Sequence, residues 1–546
     1  RDLHRVDRRQ RQMCIRDRYG VDIMEEAVEI CRLRLFLKLA AQVEPEENKD
    51  NLGIEPLPDI DFNIKAGNTL VGYAAYEDVK NAVRSQFDFD NTMERIQQQA
   101  EEVDRIFALF RKMQTEEGMD AKQFVEAKKQ LRKQLTVLQD ELNRYLAQDY
   151  GIDVKKKDAY ATWPTTHQPF HWFIEFYGIM KNGGFDVVIG NLPYVEYELV
   201  SGTYRVQGYA TLPSGNLYAL AIERSTHFPG LERRFGMIVP SSATCTSGYA
   251  NLQVILREQE CVHVSSFSDQ RGKLFDIPHP RLCIILFTKG CGNGCIFSAP
   301  YVKLGSKGYR DSLFHRIAYV DVTECVDAGR IPRYGSTLDL SVHQCLRRFT
   351  RCIGSVTTDR GLYPVYYTRK ISWFVQVTPF VPRIVDAHGN KRQPSEVKEL
   401  LFAEPEHASV VFASLNSSLF FWFMSTGSDW RNLNMREVLG FPVEPASLSK
   451  TTLRCLTMLA ADLVESLQKT SECRDMQFRG QGTLHIQCIF PRRYKKIIDQ
   501  IDQVLAKDYG FTNEELDFII NYDIKYRMGK EAESEENLQA LIHSIT

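Results

Sequence analysis

The sequence lacks the marks of membrane, secreted and structural-zinc proteins. No apolar run approaches the ~18 residues of a membrane-spanning helix, and no charged-then-apolar secretory signal opens the chain. The thirteen cysteines are scattered, and the closest two, Cys291 and Cys295, have no second pair beside them. A zinc site is therefore not expected. Scattered free thiols are typical of a reducing cytoplasm, which is where we expect this protein.

The chain also lacks a strong net charge. Its formal charge is −2, so no overall basic field indicates nucleic acid. Large DNA enzymes often keep their basic surface local, so DNA is not excluded. With 546 residues, 43% of them hydrophobic, the chain is expected to form three or four domains, each with its own core.

The first eighteen residues have no helical or strand periodicity. Residues 1–18 form an almost continuous basic string. We interpret this string as a foreign or disordered segment, with a basic nucleic-acid arm as the alternative.

The most informative stretch runs from Phe185 to Tyr194. Its apolar, β-branched run predicts a buried central strand of a parallel sheet. Gly190 is expected to let the chain turn sharply at the carboxyl end of that strand, where open α/β sheets bind ligands. An ordinary strand-to-loop turn is the alternative interpretation. The polar turn contains an amide, a rigid ring and an aromatic ring, supplied by Asn191, Pro193 and Tyr194.

Two further strand ends carry polar residues. Tyr19–Ile23 is a predicted strand that ends in Asp22, with a helix directly after it. An acid at this place binds a ribose diol in Rossmann-like folds, although it could equally cap the helix. A second strand leads into the Gly67–Asn68 turn. There Asn68 could contact an adenine edge or simply form the turn.

Elsewhere the pattern changes along the chain. Residues 81–149 have apolar residues at helical spacing and predict an antiparallel helical hairpin. Strands and helices then alternate, which favours a doubly wound sheet. Beyond Gly335, aromatic rings and cations interleave as on a nucleic-acid surface, although a β-rich core would explain about half of the rings. These residues are Arg347, Arg348, Phe349, Arg351, Tyr363, Tyr366, Tyr367, Arg369, Lys370, Trp373 and Phe374. Polar loops at 415–419 and 431–434 were candidates for contact with base edges.

The Asn191–Tyr194 turn resembles motif IV of amino-methyltransferases, usually Asn-Pro-Pro-Tyr, with Leu192 in place of the first proline. The order of motifs over nearly the whole chain is similar to gamma-class N6-adenine DNA methyltransferases of the combined restriction-modification (type IIG-like) kind. That family implies a Rossmann-like, doubly wound α/β sheet with a helical insertion. It also implies a carboxyl-terminal α+β target-recognition domain, S-adenosylmethionine as cofactor and double-stranded DNA as partner.

The resemblance also assigns roles to single residues. Asp22 would hold the ribose hydroxyls of S-adenosylmethionine, and Ile23 would pack on its adenine. Asn68 would offer its carbonyl oxygen to the adenine amino group. Asn191 and the Leu192 carbonyl would hold the target amine. The target base would be stacked by the rings of Tyr194 and Phe275.

The resemblance has gaps. No glycine-rich cofactor loop precedes Asp22, so we expect the family's first strand to be missing, the chain to be amino-terminally truncated, and the fragment to be inactive alone. A nuclease could be fused or separate, and the oligomeric state is open. The alternatives are an RNA or protein-glutamine methyltransferase, or a non-catalytic DNA-binding remnant. Cytosine-amino enzymes usually have Ser where Asn191 stands.

The expected domain organisation follows from these assignments. The catalytic domain would be discontinuous and interrupted by the helical insertion. Its two parts would span residues 19–80 and 150–334, and the insertion would span residues 81–149. The recognition domain would span residues 335–445, followed by a helical carboxyl-terminal region at 446–546.

Overall fold

The structure is a computed structural model. It describes residues 17–41, 48, 60–84, 89–113, 121–268, 274–275, 281–290, 294–303, 313–327, 329–371, 374–394, 396–430, 432–478 and 482–529. The chain forms two compact units. The first comprises Arg1–Ile238, Glu258–Glu260 and Leu286–Asn293, and the second comprises Val239–Arg257, Cys261–Ile285 and Gly294–Thr546. The domain limits expected from the sequence stay a prediction.

The first unit begins with a short parallel sheet. Strands β1 (Gly20–Asp22) and β2 (Ile64–Ala66) pair so that Asp22 lies opposite Ala66. Helix α1 (Glu25–Ala40) follows β1 directly and has Glu25 and Glu26 in its first turn, where acids favour the helix dipole. The predicted strand–acid–helix order is therefore present.

Six described helices lie between β2 and the next strand of the first unit. They are α2 (Tyr76–Val83), α3 (Phe89–Met113), α4 (Ala121–Asp149), α5 (Lys157–His167), α6 (Trp172–Glu175) and α7 (Tyr177–Lys181). The long helices α3 and α4 run antiparallel. The Arg95 guanidinium bonds to Glu141, while the Phe110 ring stacks on Phe124 at 4.7 Å. The expected helical hairpin is therefore present.

A larger sheet contains the strand before the Asn191 turn. Its strands are β3 (Val187–Asn191), β4 (Arg234–Pro240), β5 (Cys261–Phe267), β6 (Leu282–Thr288), β7 (Cys295–Ser298) and β8 (Val320–Asp321). Their order is β3-β4-β6-β5-β7-β8. Strands β3 and β4 are parallel, with Asn191 opposite Ile238. Helices α8 (Tyr197–Val200) and α9 (Leu217–Thr226) connect these two strands.

Strand β3 is not the buried central strand that its sequence predicted. It lies at the edge of the sheet, and Val187 and Ile189 are 58% and 78% exposed. An apolar β-branched run specifies extended backbone, but it does not specify how many neighbours the strand has. Mixed α/β architecture is shown, whereas the doubly wound arrangement stays a prediction.

The second unit contains two small antiparallel sheets. One has the order β10-β9-β12 and the other β11-β14-β13. These strands are β9 (Tyr363–Thr368), β10 (Val377–Thr378), β11 (Ile384–Asp386), β12 (Val397–Phe402), β13 (Glu472–Phe478) and β14 (Gly482–Cys488). The hairpin β13–β14 lies within residues 446–546, for which the sequence predicted a helical region. Its outward positions are polar, so a scan for apolar runs overlooks it.

The helices of the second unit complete the described chain. They are α10 (Ser242–Cys245), α11 (Ala250–Arg257), α12 (Leu313–Arg316), α13 (Thr337–Leu346), α14 (Pro405–Leu415), α15 (Ser418–Gly427), α16 (Met435–Leu439), α17 (Lys450–Thr470), α18 (Lys495–Tyr509), α19 (Asn513–Asn521) and α20 (Ile524–Arg527). No single helix in the described chain has the length and apolar content of a membrane span. Only α14 and α15 taken together, bent by 66°, meet that test on length and composition.

Candidate active site

The turn after β3 brings together an amide, a backbone carbonyl and an aromatic hydroxyl. The Tyr194 hydroxyl donates a hydrogen bond to Asn191 Oδ1 at 2.8 Å and lies 3.5 Å from the Ile238 carbonyl. Asn191 and Pro193 are exposed, while Leu192 and Tyr194 are half-buried. Within the described chain no group donates a hydrogen bond to the Leu192 carbonyl. The turn therefore presents acceptor oxygens beside an aromatic ring.

Gly190 serves this turn differently from the expectation. Its backbone is not left-handed, and it lies inside β3 rather than in the turn. A Cβ at this position would lie 3.0 Å from Leu192 Cδ2 and 3.3 Å from Met237 Sδ. The glycine therefore makes room for the Leu192 side chain and for β4, and the turn itself begins one residue later.

Asp22 ends β1 with an exposed carboxylate. Its Oδ1 accepts the backbone N–H of Met24 at 2.9 Å, so the capping interpretation describes one of its two oxygens. The other oxygen remains available to a ligand hydroxyl. Ile23, next to it, is 39% exposed and could pack on a flat ring.

Asn68 lies beside Asp22 at the same sheet edge. The Gly67 N–H donates to the Asp22 carbonyl at 2.9 Å, which joins the two strand ends. Asn68 is buried, and its Oδ1 accepts the N–H of Leu70 at 3.1 Å. Its Nδ2 has no partner in the described chain. The hydrogen-bonding group that Asn68 has left is thus a donor, which differs from the carbonyl role expected for it.

A buried network connects the Asn68 loop to the segment after the Asn191 turn. The Tyr209 hydroxyl donates to the Leu70 carbonyl at 2.8 Å. Arg224 donates from Nε to that hydroxyl at 2.7 Å and from Nη2 to the same carbonyl at 3.0 Å. Burial raises the pKa of Tyr209 to about 12, so the phenol stays protonated and remains a donor.

Glu223 fixes the other side of the same segment. Its carboxylate accepts the N–H groups of Ala210 and Thr211, both at 2.8 Å, and the Thr211 hydroxyl at 2.6 Å. Sequence reasoning missed Glu223 and Arg224. The available signal was a charged pair directly after the apolar first half of α9, because buried charges need partners of this kind.

His171 anchors the Asn68 side of the site to the helical hairpin. The ring is 1% exposed. Its Nδ1 accepts the Tyr73 N–H at 3.2 Å and its Nε2 lies 2.9 Å from Asn143 Oδ1. Burial, with a smaller effect of the Arg224 charge, lowers the pKa of His171 to about 3. A neutral ring can therefore donate to Asn143 and accept from Tyr73 at once.

The structure says less about several other predicted site residues. Phe275 is half-buried, but the segments on both sides of it lie outside the described residues. Trp373 and Arg431 lie outside them too. No group of three or more His, Cys, Asp or Glu side chains suited to a metal occurs in the described part of the chain.

Some residues of the predicted nucleic-acid surface are exposed in the structure, and others are buried or paired. Tyr367 and Phe374 are buried core residues, as the alternative interpretation held. Arg351 pairs with the buried Glu444 at 2.7 Å, and Arg347 donates to the Glu324 carbonyl at 2.9 Å. Arg348 and Arg369 are exposed.

The polar segment 415–419 is not an exposed loop. Asn416, Ser417 and Ser418 are buried at the junction of α14 and α15. The Ser417 hydroxyl caps α15 by accepting the Phe420 N–H at 3.0 Å. Polar residues at a helix start serve the free N–H groups, so they do not indicate exposure.

Part of the sequence is similar to a known protein family. Residues 16–272 match the model of the Eco57I restriction-modification methylase family. A putative type II restriction enzyme and methyltransferase of Methanocaldococcus jannaschii is 29% identical over 283 residues. The match covers 45% of this chain and 23% of the relative, so the chain spans only part of that protein's length.

Solved structures give weaker likenesses. A type IIL restriction-modification enzyme, MmeI, in complex with DNA has a TM-score of 0.34 at 10% identity, over 83% of this chain and 78% of that one. The type IIG restriction endonuclease BpuSI has a TM-score of 0.23 at 9% identity, over 62% and 54%. The similarity to restriction-modification enzymes therefore depends on the sequence match over residues 16–272. Over residues 16–272, the sequence is similar to the Eco57I restriction-modification methylase family.

Proposed function

We propose that this chain is the methyltransferase part of a restriction-modification enzyme that methylates the N6 amino group of adenine in double-stranded DNA. The observation that carries the proposal is the turn after β3. Asn191 Oδ1 and the Leu192 carbonyl are two acceptors at one strand end, and the Tyr194 ring lies next to them. An amino group on a flat heterocycle needs this set of contacts.

The chemistry follows from these groups. An exocyclic amine is a weak nucleophile because its lone pair is conjugated with the purine ring. Two acceptors that hold its hydrogens localise the lone pair on nitrogen. Asn191 Oδ1 has a second lone pair after accepting from Tyr194, so it can also accept from the amine. Stacking on Tyr194 offsets part of the few kcal/mol that extruding a base costs.

The residues at the β1–β2 edge fit S-adenosylmethionine, which would supply the methyl group when bound. Asp22 keeps one carboxylate oxygen for the ribose hydroxyls, and Ile23 offers an exposed apolar side chain. Asn68 is proposed to donate from Nδ2 to a cofactor acceptor, because its Oδ1 already takes the Leu70 N–H. A buried donor without a partner costs free energy, and a ligand acceptor would remove that cost.

We propose that the cofactor site also needs a further strand and helix packed against the first unit, as in a Rossmann-like sheet. The edge strand β3 exposes Val187 and Ile189. Helix α1 exposes Ile30, Leu33 and Leu37, each more than half, at helical spacing along one side. Exposed apolar edges of this kind are normally covered.

Sequence recognition is proposed to lie in residues 335–445. The support is that Arg348 and Arg369 are exposed in this segment, where they could reach DNA. A nuclease, fused or separate, would complete a restriction-modification system. The buried position of residues 415–418 removes that segment from the set of base-contacting candidates.

The test is methyl transfer from labelled S-adenosylmethionine by the full-length gene product. DNA, RNA and protein substrates would be compared in parallel. We expect label in duplex DNA, recovered as N6-methyladenine. Label in RNA, in protein glutamine or in cytosine would reject the proposal. Binding to DNA without transfer would support a non-catalytic remnant instead.

A further inference from the structure

A cavity in the first unit is lined in part by helix α3, and none of the residues of the site described above lines it. Its volume is about 280 Å³, near the lower end of the roughly 300–1,000 Å³ typical of ligand pockets. Aromatic rings from both sides line it, namely Tyr19, Phe62, Phe107, Phe176 and Tyr177. On α3, Asp104, Phe107 and Arg111 lie three and four residues apart, so they share one helix face.

The two cations in the wall are each matched by an acid. Lys65 Nζ lies 2.5 Å from Glu175, and both side chains are nearly buried. Arg111 lies 3.2 Å from Asp17 and 3.3 Å from the Tyr19 hydroxyl. Their charges are therefore largely neutralised before any ligand arrives.

Of the two acids in the cavity wall, Glu175 forms an ion pair and Asp104 does not. Its carboxylate makes no hydrogen bond or ion pair within the described residues, and Lys181 nearby bonds to Glu101 at 2.9 Å instead. Burial raises the pKa of Asp104, and the nearby charge of Lys181 offsets part of this effect. A Cβ on Gly178 would lie 2.3 Å from Asp104 Oδ1, so only glycine at 178 leaves room for the carboxylate where it is.

We propose that this cavity binds a small organic ammonium ion with an aromatic or branched apolar body. The ammonium would pair with Asp104, and the body would lie among the five rings. A cation is favoured because the half-buried Asp104 carboxylate, which makes no ion pair in the described chain, gains a partner. Lys65 already lies 5.0 Å from the ring centre of Phe176 and Arg111 lies 5.8 Å from that of Phe107, so the rings serve the apolar body of the ligand and Asp104 selects its charge. A ligand of about ten non-hydrogen atoms suits the small volume.

The test uses the whole chain and three probes of nearly the same shape: benzylammonium, benzyl alcohol and benzoate. Binding is measured by calorimetry and by the shift in thermal midpoint. We expect benzylammonium to bind at least ~10-fold more tightly than the alcohol, and benzoate not to bind. No binding of benzylammonium at 10 mM, or equal affinity for the alcohol, overturns the proposal.

Two variants locate the charge. Asp104→Asn should weaken benzylammonium at least ~10-fold and leave benzyl alcohol unchanged, and we expect it to fold, since it removes an uncompensated charge. Glu102→Gln removes the same charge from the same helix, where that acid pairs with Arg105 at 2.7 Å, and should leave affinity unchanged. Equal loss in both variants, or none in Asp104→Asn, contradicts the assignment. The wild-type probe series decides the matter if a variant fails to fold.

Discussion

The hydroxyl of Tyr194 donates a hydrogen bond to Oδ1 of Asn191, three residues earlier, at 2.8 Å. This bond orients the amide at the end of β3 and holds the ring beside it. The two side chains proposed to act on the target amine are therefore coupled before a base arrives. Such preorganisation is how a site avoids paying for order at the moment of reaction.

The coupling predicts different losses for two Tyr194 variants. Tyr194→Phe keeps the ring and removes one hydrogen bond, so kcat should fall about 3- to 10-fold with little change in KM for DNA. Tyr194→Ala also removes base stacking, worth ~1–3 kcal/mol, and should cost a further ~10–100-fold in kcat/KM. Steady-state kinetics of the full-length protein separate the two effects. Equal losses in both variants would mean that the ring does not stack on the base.

The uncovered edge of β3 predicts weak cofactor binding by this chain of 546 residues. Calorimetry with S-adenosylmethionine should show no binding tighter than roughly 1 mM, because part of the pocket wall is proposed to come from another segment. The full-length gene product is the matched control and should bind. Micromolar binding by the chain alone would show that β1, β2 and β3 suffice.

Buried His171 predicts a local loss of stability in acid. Its pKa is about 3 in the folded chain and ~6.5 when unfolded. Well above pH 6.5 the ring is neutral in both the folded and the unfolded chain, so protonation does not change the free energy of unfolding. As the pH falls from 6.5 towards 3, the unfolded state gains a proton that the folded state does not. At pH 5 the free energy of unfolding is therefore lower by about 2 kcal/mol.

Hydrogen exchange at the Tyr73 amide, which bonds to His171, is the readout. Its protection, corrected for the intrinsic rate, should fall about 25-fold between pH 7 and pH 5. The fall should be much smaller in His171→Gln, whereas His388→Gln, at an exposed position, should behave as wild type. If His171→Gln kept the full pH dependence of the wild type, the loss of protection in acid would come from another group.

The arginines of residues 335–445 should divide by their contacts. Arg348 is exposed, so Arg348→Ala should weaken binding to all DNA sequences alike and lower the salt slope by about 1. Arg351→Ala should mainly lower stability, because it leaves the buried Glu444 without its partner. Arg454→Ala, exposed outside this segment, is the control. An unchanged salt slope in Arg348→Ala would remove it from the DNA surface.

The local elements were predictable because they depend on neighbours in the sequence. The strand ending at Asp22, the helix directly after it and the helical hairpin follow from periodicity and turn residues. The edge position of β3 was not predictable, since pairing partners lie far away in the chain. The burial of Ser417 could not be told from a surface loop, because a helix cap and a loop use the same residues.

The candidate site was predictable residue by residue but not in its connections. Asn191 and Tyr194 are three residues apart, and their contact follows from one tight turn. The bonds that join Arg224 and Tyr209 to Leu70 span up to 154 residues of sequence, and no local pattern encodes them. The free donor on Asn68 likewise depends on which backbone N–H reaches its oxygen.

The central claim is that Asn191 holds the target amine. The most direct measurement is base-resolved methylation sequencing of DNA from a host without adenine methylation that expresses the full-length gene product, either wild type or Asn191→Ala. The account predicts N6-methyladenine at one short motif with wild type and none with the variant, while gel-shift affinity for that motif changes less than about 3-fold. Wild-type levels of N6-methyladenine in the Asn191→Ala strain would contradict it.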